Sequence, residues 1–141
     1  MIEFTQTTTV DAPVETVWDV LTDFSKYGEW NSYVTISQGA PMEGTAVELI
    51  FSPSDGSQRT EAGKLTGLEE QHCLRWEAVA LYRCVYVSIF EMELDAVDES
   101  TTCVRVSRRY GGILARVIAD QQIKTDLAEL NKGLASQAIS K

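Results

Sequence analysis

The chain has 141 residues, 44% hydrophobic and 23% charged, a globular composition with enough length for one real core. Its 21 acidic and 12 basic side chains leave a net charge of −9, which argues against nucleic acid as a partner, since phosphate backbones are held by Lys and Arg. No apolar run is long enough to span a membrane, and the opening M-I-E-F-T-Q-T-T-T lacks the basic and apolar regions of a signal peptide, so one soluble, cytoplasmic domain over residues 1–141 is expected.

Residues 2–10 alternate and are rich in β-formers, which predicts an opening strand. In the next stretch, D-A-P-V-E-T-V-W-D-V-L-T, Val14, Val17, Trp18 and Leu21 share one helical face, Pro13 suits the first turn, and Asp11 is placed to accept from the free amides. The helix should end near Thr22. A short helical turn is expected at Ser25–Glu29, inside a segment where Phe24, Tyr27, Trp30 and Tyr33 recur every third residue. That much apolar area needs a larger partner to bury it.

Strands follow in series. Ser32–Gln38 alternates, Thr45–Ser52 places Val47, Leu49 and Phe51 on one side, and P-S-D-G-S is hairpin-turn chemistry. Arg59–Leu68 is a weaker strand because Glu61, Gly63 and Lys64 interrupt its pattern. Cys73–Ala80 puts Leu74, Trp76 and Ala78 on one face, and E-E-Q-H makes the turn before it. Tyr82–Asp95 is read as one long strand, whose phase places Tyr82, Cys84, Tyr86, Ser88, Phe90, Met92 and Leu94 inward and Glu91, Glu93 and Asp95 in solvent. Thr102–Tyr110 presents Val104, Val106, Arg108 and Tyr110 on one face. Gly111-Gly112 then turns the chain into a long helix, Ile113 to about Ile139, with a stripe of Ile123, Leu127, Leu130 and Leu134 and a start that is apolar nearly all round. Short connections imply antiparallel neighbours, so the order predicts an α+β fold in which a curved antiparallel sheet wraps one long helix.

Conventional catalytic patterns are missing. The single histidine, His72, falls in a polar turn, which leaves no Ser/His/Asp arrangement and no His/Cys metal site. The glycines match no phosphate-binding pattern, and no cofactor is called for. The three cysteines, Cys73, Cys84 and Cys103, lack C-x-x-C spacing and read as buried thiols in a reducing compartment.

Two stretches carry a resemblance: A-P-V-E-T-V-W-D-V-L-T-D-F-S-K-Y-G-E-W-N at 12–31, and T-T-C-V-R-V-S-R-R-Y-G-G-I-L at 101–114. With the element order between them, the chain resembles the START-like (SRPBCC) superfamily, in particular the bacterial polyketide cyclase/dehydrase-like and lipid-transport-like proteins. The resemblance implies the helix-grip fold, with about seven strands curved around the C-terminal helix and an apolar cavity between them. It also implies a lipid, polyketide or similar small apolar molecule as partner. Many members carry a histidine on one of the last two strands; here Y-V-S-I-F-E and C-V-R-V-S-R-R-Y have none.

On this reading Trp30, Tyr33, Trp76, Tyr82, Tyr86, Phe90 and Tyr110 face inward or fringe the mouth of a pocket. Arg108 shares the inward phase. Either it is buried against an internal carboxylate such as Glu61 or a ligand oxygen, or strand twist turns it out. Three functions stay open. The first is carriage of an apolar ligand oriented by Arg108 and the tyrosines. The second is a cyclase- or dehydratase-like enzyme in which the tyrosines donate protons and Arg108 polarises an enolate oxygen. The third is a co-chaperone-like interaction module with a filled core. No catalytic residue is assigned, and a homodimer is left open.

Overall fold

The computed structural model describes residues 2–54, 56–80, 82, 85–115 and 122–140. Strand β1 (Ile2–Val10) leads into helix α1 (Val14–Thr22), a 3-10 turn (Phe24–Lys26) and helix α2 (Tyr27–Trp30). Six strands follow: β2 (Val34–Gln38), β3 (Ala46–Phe51), β4 (Arg59–Glu69), β5 (Cys73–Ala80), β6 (Tyr86–Asp98) and β7 (Thr101–Gly111). Helix α3 (Gln122–Ile139) closes the order.

The seven strands form one antiparallel sheet in the order β1-β7-β6-β5-β4-β3-β2. The first and second strands are therefore the two edges, and α1 and α2 carry the chain between them. Register shifts at Ile36/Gln38, Leu65/Gly67 and Ala96/Asp98 interrupt the ladders, and such irregularities increase the local twist of a sheet. The result is a curled sheet gripping α3, the α+β helix-grip architecture.

The inward phase holds along the central strands. Val47, Leu49 and Phe51 on β3, Leu74 and Trp76 on β5, and Phe90, Met92 and Leu94 on β6 are all buried, as are Val104, Val106, Arg108 and Tyr110 on β7. Helix α3 buries Ile123, Leu127, Leu130 and Leu134, the stripe expected from its spacing. It packs against β1, where the Asn131 amide donates to the Gln6 carbonyl at 3.3 Å. Gly133 lets α3 lie directly on the Trp30 carbonyl, because a Cβ there would occupy the space of that oxygen. The bend after α2 is pinned by Asn31, whose amide donates to the Tyr27 carbonyl at 2.7 Å while its Oδ1 accepts from the Tyr33 and Val34 amides at 3.0 and 2.8 Å.

Some expectations are corrected. Pro13 stands as the N-cap, not inside the first turn, and α1 has no side-chain cap hydrogen bond, so Asp11 does not serve as one. Strand β6 begins at Tyr86; Tyr82 lies outside it and is 73% exposed, so the alternating phase does not extend back that far. Cys73 and Cys103 are free thiols but only half-buried, on outward-facing positions of their strands. Cys84 and residues 116–121 of the expected long helix lie outside the described residues. Among the described residues no helix is long and apolar enough to cross a membrane.

Candidate functional site

Arg108 is fully buried near the end of β7. Its guanidinium carbon stands 3.9 Å from the centre of the Phe51 ring, 4.8 Å from Tyr110 and 5.6 Å from Phe90. Aromatic faces attract a cation, and the attraction grows when water is excluded. The Nε and Nη2 groups both donate to the Tyr110 hydroxyl oxygen, at 2.9 and 2.6 Å. On the far side Nη2 lies 3.9 Å from Oε2 of Glu61.

Glu61 sits on β4, three strands away from β7 in the sheet. In a flat sheet that separation is about 14 Å at the usual strand spacing, beyond a simple ion pair. Curling of the sheet brings the two together over its concave face. Glu61 is 6% exposed; its Oε2 accepts from the Tyr86 hydroxyl at 2.7 Å and lies 3.3 Å from Nε of the half-exposed Arg59. Tyr33 lies within electrostatic reach of Arg108, Tyr110 and Asp126, the last a buried carboxylate on α3. Tyr110, Arg108, Glu61 and Tyr86 thus form a linked polar cluster inside an aromatic shell, with Tyr33 and Asp126 beside it.

Burial opposes the Arg108 charge, but Tyr33, Tyr110 and Glu61 outweigh it, and its ionisation moves above the usual arginine range. The hydroxyls of Tyr33 and Tyr86 shift upward, chiefly from burial and, for Tyr86, from the adjoining Glu61 charge as well. Both phenols therefore stay protonated near neutral pH. The cluster leaves Arg108 Nη1, Arg59 Nε, Glu61 Oε1 and Asp126 Oδ2 buried without a hydrogen-bond partner. Buried polar groups are nearly always paired, and leaving one unpaired costs about 1–3 kcal/mol, more when it is charged.

A cleft of about 90 Å³ lies beside the cluster between β2, β3 and α3, lined by Ser32, Ser52, Ser54, Glu129 and Leu130 and meeting the cluster's edge at Tyr33 and Asp126. It is smaller than hollows that enclose drug-sized molecules, about 300–1,000 Å³, so an occupant there is limited to a polar end group unless the walls move. Two wider hollows, of about 470 and 440 Å³, border the outer face of the sheet around His72 and Cys73 and around Ala62 and Val79.

The sequence profile of the family described as "Polyketide cyclase / dehydrase and lipid transport" matches residues 1–138. The chain belongs to this family. A START superfamily protein from Mycobacterium smegmatis superposes with a TM-score of 0.72 at 15% identity, over 98% of this chain and 97% of that one. Major latex-like protein 151 of Panax ginseng gives a TM-score of 0.73 at 13% identity over 98% and 97% of the two chains. The di-domain ARO/CYC protein BexL from the BE-7585A biosynthetic pathway gives 0.64 at 15% identity, with 99% of this chain covering 49% of that one. None of the curated proteins matches in sequence. At these identities the likeness carries the START-like (SRPBCC) fold alone.

Within this START-like fold the eight sequence-selected residues separate into groups. Tyr86, Arg108 and Tyr110 meet in the polar cluster, with Tyr33 beside it and Phe90 in its aromatic wall. Trp76 is buried among Phe24, Tyr27 and Phe90, and Trp30 packs against Tyr27, so both belong to the aromatic core beside the cluster. Tyr82 stands apart on the surface. Sequence reasoning named Glu61 only as one partner for Arg108 and left out Phe51 and Asp126. Phe51 shared the inward phase of Val47 and Leu49. Asp126 lies three residues beyond Ile123, on the stripe side of the helix, and that spacing was its signal.

Proposed function

We propose that this family member binds a small, largely apolar ligand between the sheet and α3, with Arg108, Tyr33, Tyr86 and Tyr110 orienting its polar end. The observation that carries this reading is the idle hydrogen-bonding capacity at the centre of the cluster. Arg108 Nη1 and Glu61 Oε1 are a buried donor and a buried acceptor, both unpaired, in an aromatic surround. Convergent polar groups in an apolar surround suit the polar end of a small molecule, and the adjoining cleft of about 90 Å³ admits only such an end unless its walls move. The negative net charge supports a partner other than nucleic acid. The free thiols of Cys73 and Cys103 suit a reducing, cytoplasmic setting, and residues 1–141 are taken as one domain.

A second reading, a cyclase- or dehydratase-like enzyme, is favoured by one feature of the same cluster. Two phenolic hydroxyls, Tyr86 on Glu61 and Tyr110 on Arg108, stand beside a guanidinium able to stabilise a developing oxyanion.

Native mass spectrometry of the purified protein beside its denatured mass tests the binding reading. A recurrent added mass, or uptake of a supplied apolar ketone or fatty acid, is expected. No added mass from repeated preparations, together with no uptake of any such probe, overturns it. Given a bound substrate, Tyr86→Phe lowers turnover more than affinity in an enzyme and affinity alone in a carrier.

A further inference from the structure

Taking the interior as the ligand site proposed above, we infer that it selects an uncharged hydroxy-carbonyl end group over a carboxylate, with Glu61 as the residue that sets the preference. The charges come first. Arg108 and Arg59 supply two guanidinium groups, and Glu61 and Asp126 supply two carboxylates, Glu61 lying within 3.9 Å of Arg108 and 3.3 Å of Arg59. The cluster is balanced before any ligand enters. A fatty-acid head would meet Arg108 and Glu61 together, so attraction and repulsion largely cancel while the cost of stripping water from its own charge remains. An uncharged end group avoids that cost.

The free valences give the same answer independently. Arg108 Nη1 lacks an acceptor, and Glu61 Oε1 lacks a donor. No neighbouring hydroxyl completes either atom: Tyr86 spends its only proton on Glu61 Oε2, and the Tyr110 oxygen accepts the Nε and Nη2 protons of Arg108. An end group complementary to both idle atoms must therefore carry an acceptor and a donor. A carbonyl oxygen serves the guanidinium, and a hydroxyl proton on a nearby carbon serves the carboxylate. A carboxylate has acceptors only and leaves Glu61 Oε1 unpaired. A simple ketone satisfies one atom, and a simple alcohol offers a single oxygen for both.

The test uses four probes of one chain length: octanoate, 2-octanone, 1-octanol and 4-hydroxy-2-octanone. Each is titrated near neutral pH into the whole protein and into the Glu61→Gln variant by calorimetry. For the unaltered protein the hydroxyketone is expected to bind tightest, by about tenfold or more over octanoate. In Glu61→Gln the carboxylate is expected to gain about tenfold, because it then supplies the missing negative charge, and the hydroxyketone to lose affinity. The ranking on unaltered protein decides the matter alone should Glu61→Gln not fold. Octanoate binding as tightly as the hydroxyketone, or an unchanged ranking in a folded Glu61→Gln, overturns the end-group inference and leaves the binding reading standing. Silence from all four probes overturns both.

Discussion

The Arg108–Glu61 pair allows a quantitative test of how the interior is held together. At 3.9 Å, two unit charges in a protein environment of effective dielectric constant about 20 attract by about 4 kcal/mol. Removing one member of such a buried pair strands the other, which costs about 3–5 kcal/mol. The two single losses are not equivalent. Arg108→Met leaves Glu61 with Arg59 at 3.3 Å and the Tyr86 hydroxyl, so it falls near the lower end. Glu61→Leu leaves a fully buried guanidinium with Tyr110 and ring faces only, so it falls near the upper end. The double variant removes both charges together. Because Arg59 shares Glu61, the double is expected to be about 2–4 kcal/mol more stable than the sum of the singles predicts. Urea denaturation followed by tryptophan emission reads this out, since Trp18, Trp30 and Trp76 are all buried. The slope against urea must stay constant for the comparison to hold. A coupling below about 0.5 kcal/mol, the range in which independent sites add, refutes the pairing, as does Arg108→Met costing more than Glu61→Leu.

Two further predictions concern the frame around the site. Gly133→Ala, which in an open helix gains about 1 kcal/mol, is expected here to lose about 2 kcal/mol or more, because its Cβ meets the Trp30 carbonyl; a thermal melt at or above the unaltered protein's would contradict the close approach. The Cys73 thiol is pushed up to about 11 by burial and then by Glu91, whose carboxylate accepts its proton at 3.6 Å. At pH ~8 its alkylation by iodoacetamide should be about a hundredfold slower than that of an ordinary thiol, for which the value is ~8.5. The same shift lowers stability as pH rises from the ordinary thiol range toward about 11, where the unfolded thiol ionises and the folded one does not. Glu91→Gln should bring the alkylation midpoint down, and rapid alkylation of Cys73 near neutral pH would contradict the assignment.

How far the sequence could be read depended on whether neighbours or distant strands decide a residue's place. The V-W helix face, the α3 stripe and the alternation of Phe90, Met92 and Leu94 are local patterns, and each appears in the fold. Asn31 belongs to the W-N step, and its side chain holds the bend that aims Tyr33 inward. Tyr82 failed because alternation continues only while a strand does, and β6 begins at Tyr86. Arg108 could not be settled from β7 alone. Its inward placement depends on Glu61, 47 positions earlier in the chain, reaching it across a curled sheet. The weak pattern of β4 had this same origin: Glu61 is a charged residue at an inward position.

That inward carboxylate also bears on why the cluster exists. Buried ion pairs are often no more stable than well-packed apolar replacements, so stability alone is a poor reason to keep one. A pair kept for structure would be expected to use its hydrogen-bonding capacity within the protein. Tyr27 does so, its buried hydroxyl donating to the Leu21 carbonyl, and Thr102 does so with the Ala12 carbonyl at 2.8 Å. Arg108 instead directs two of its groups at one oxygen and leaves Nη1 idle, while Glu61 takes the Tyr86 proton on one oxygen and leaves the other idle. The idle atoms are a donor and an acceptor on the two members of one ion pair, in the aromatic interior that the sheet curls to enclose. Trp30 Nε1, Trp76 Nε1 and Asn131 Oδ1 are unpaired too, but singly; here the idle donor and acceptor stand on two facing partners, and a small polar end group entering from outside would complete both.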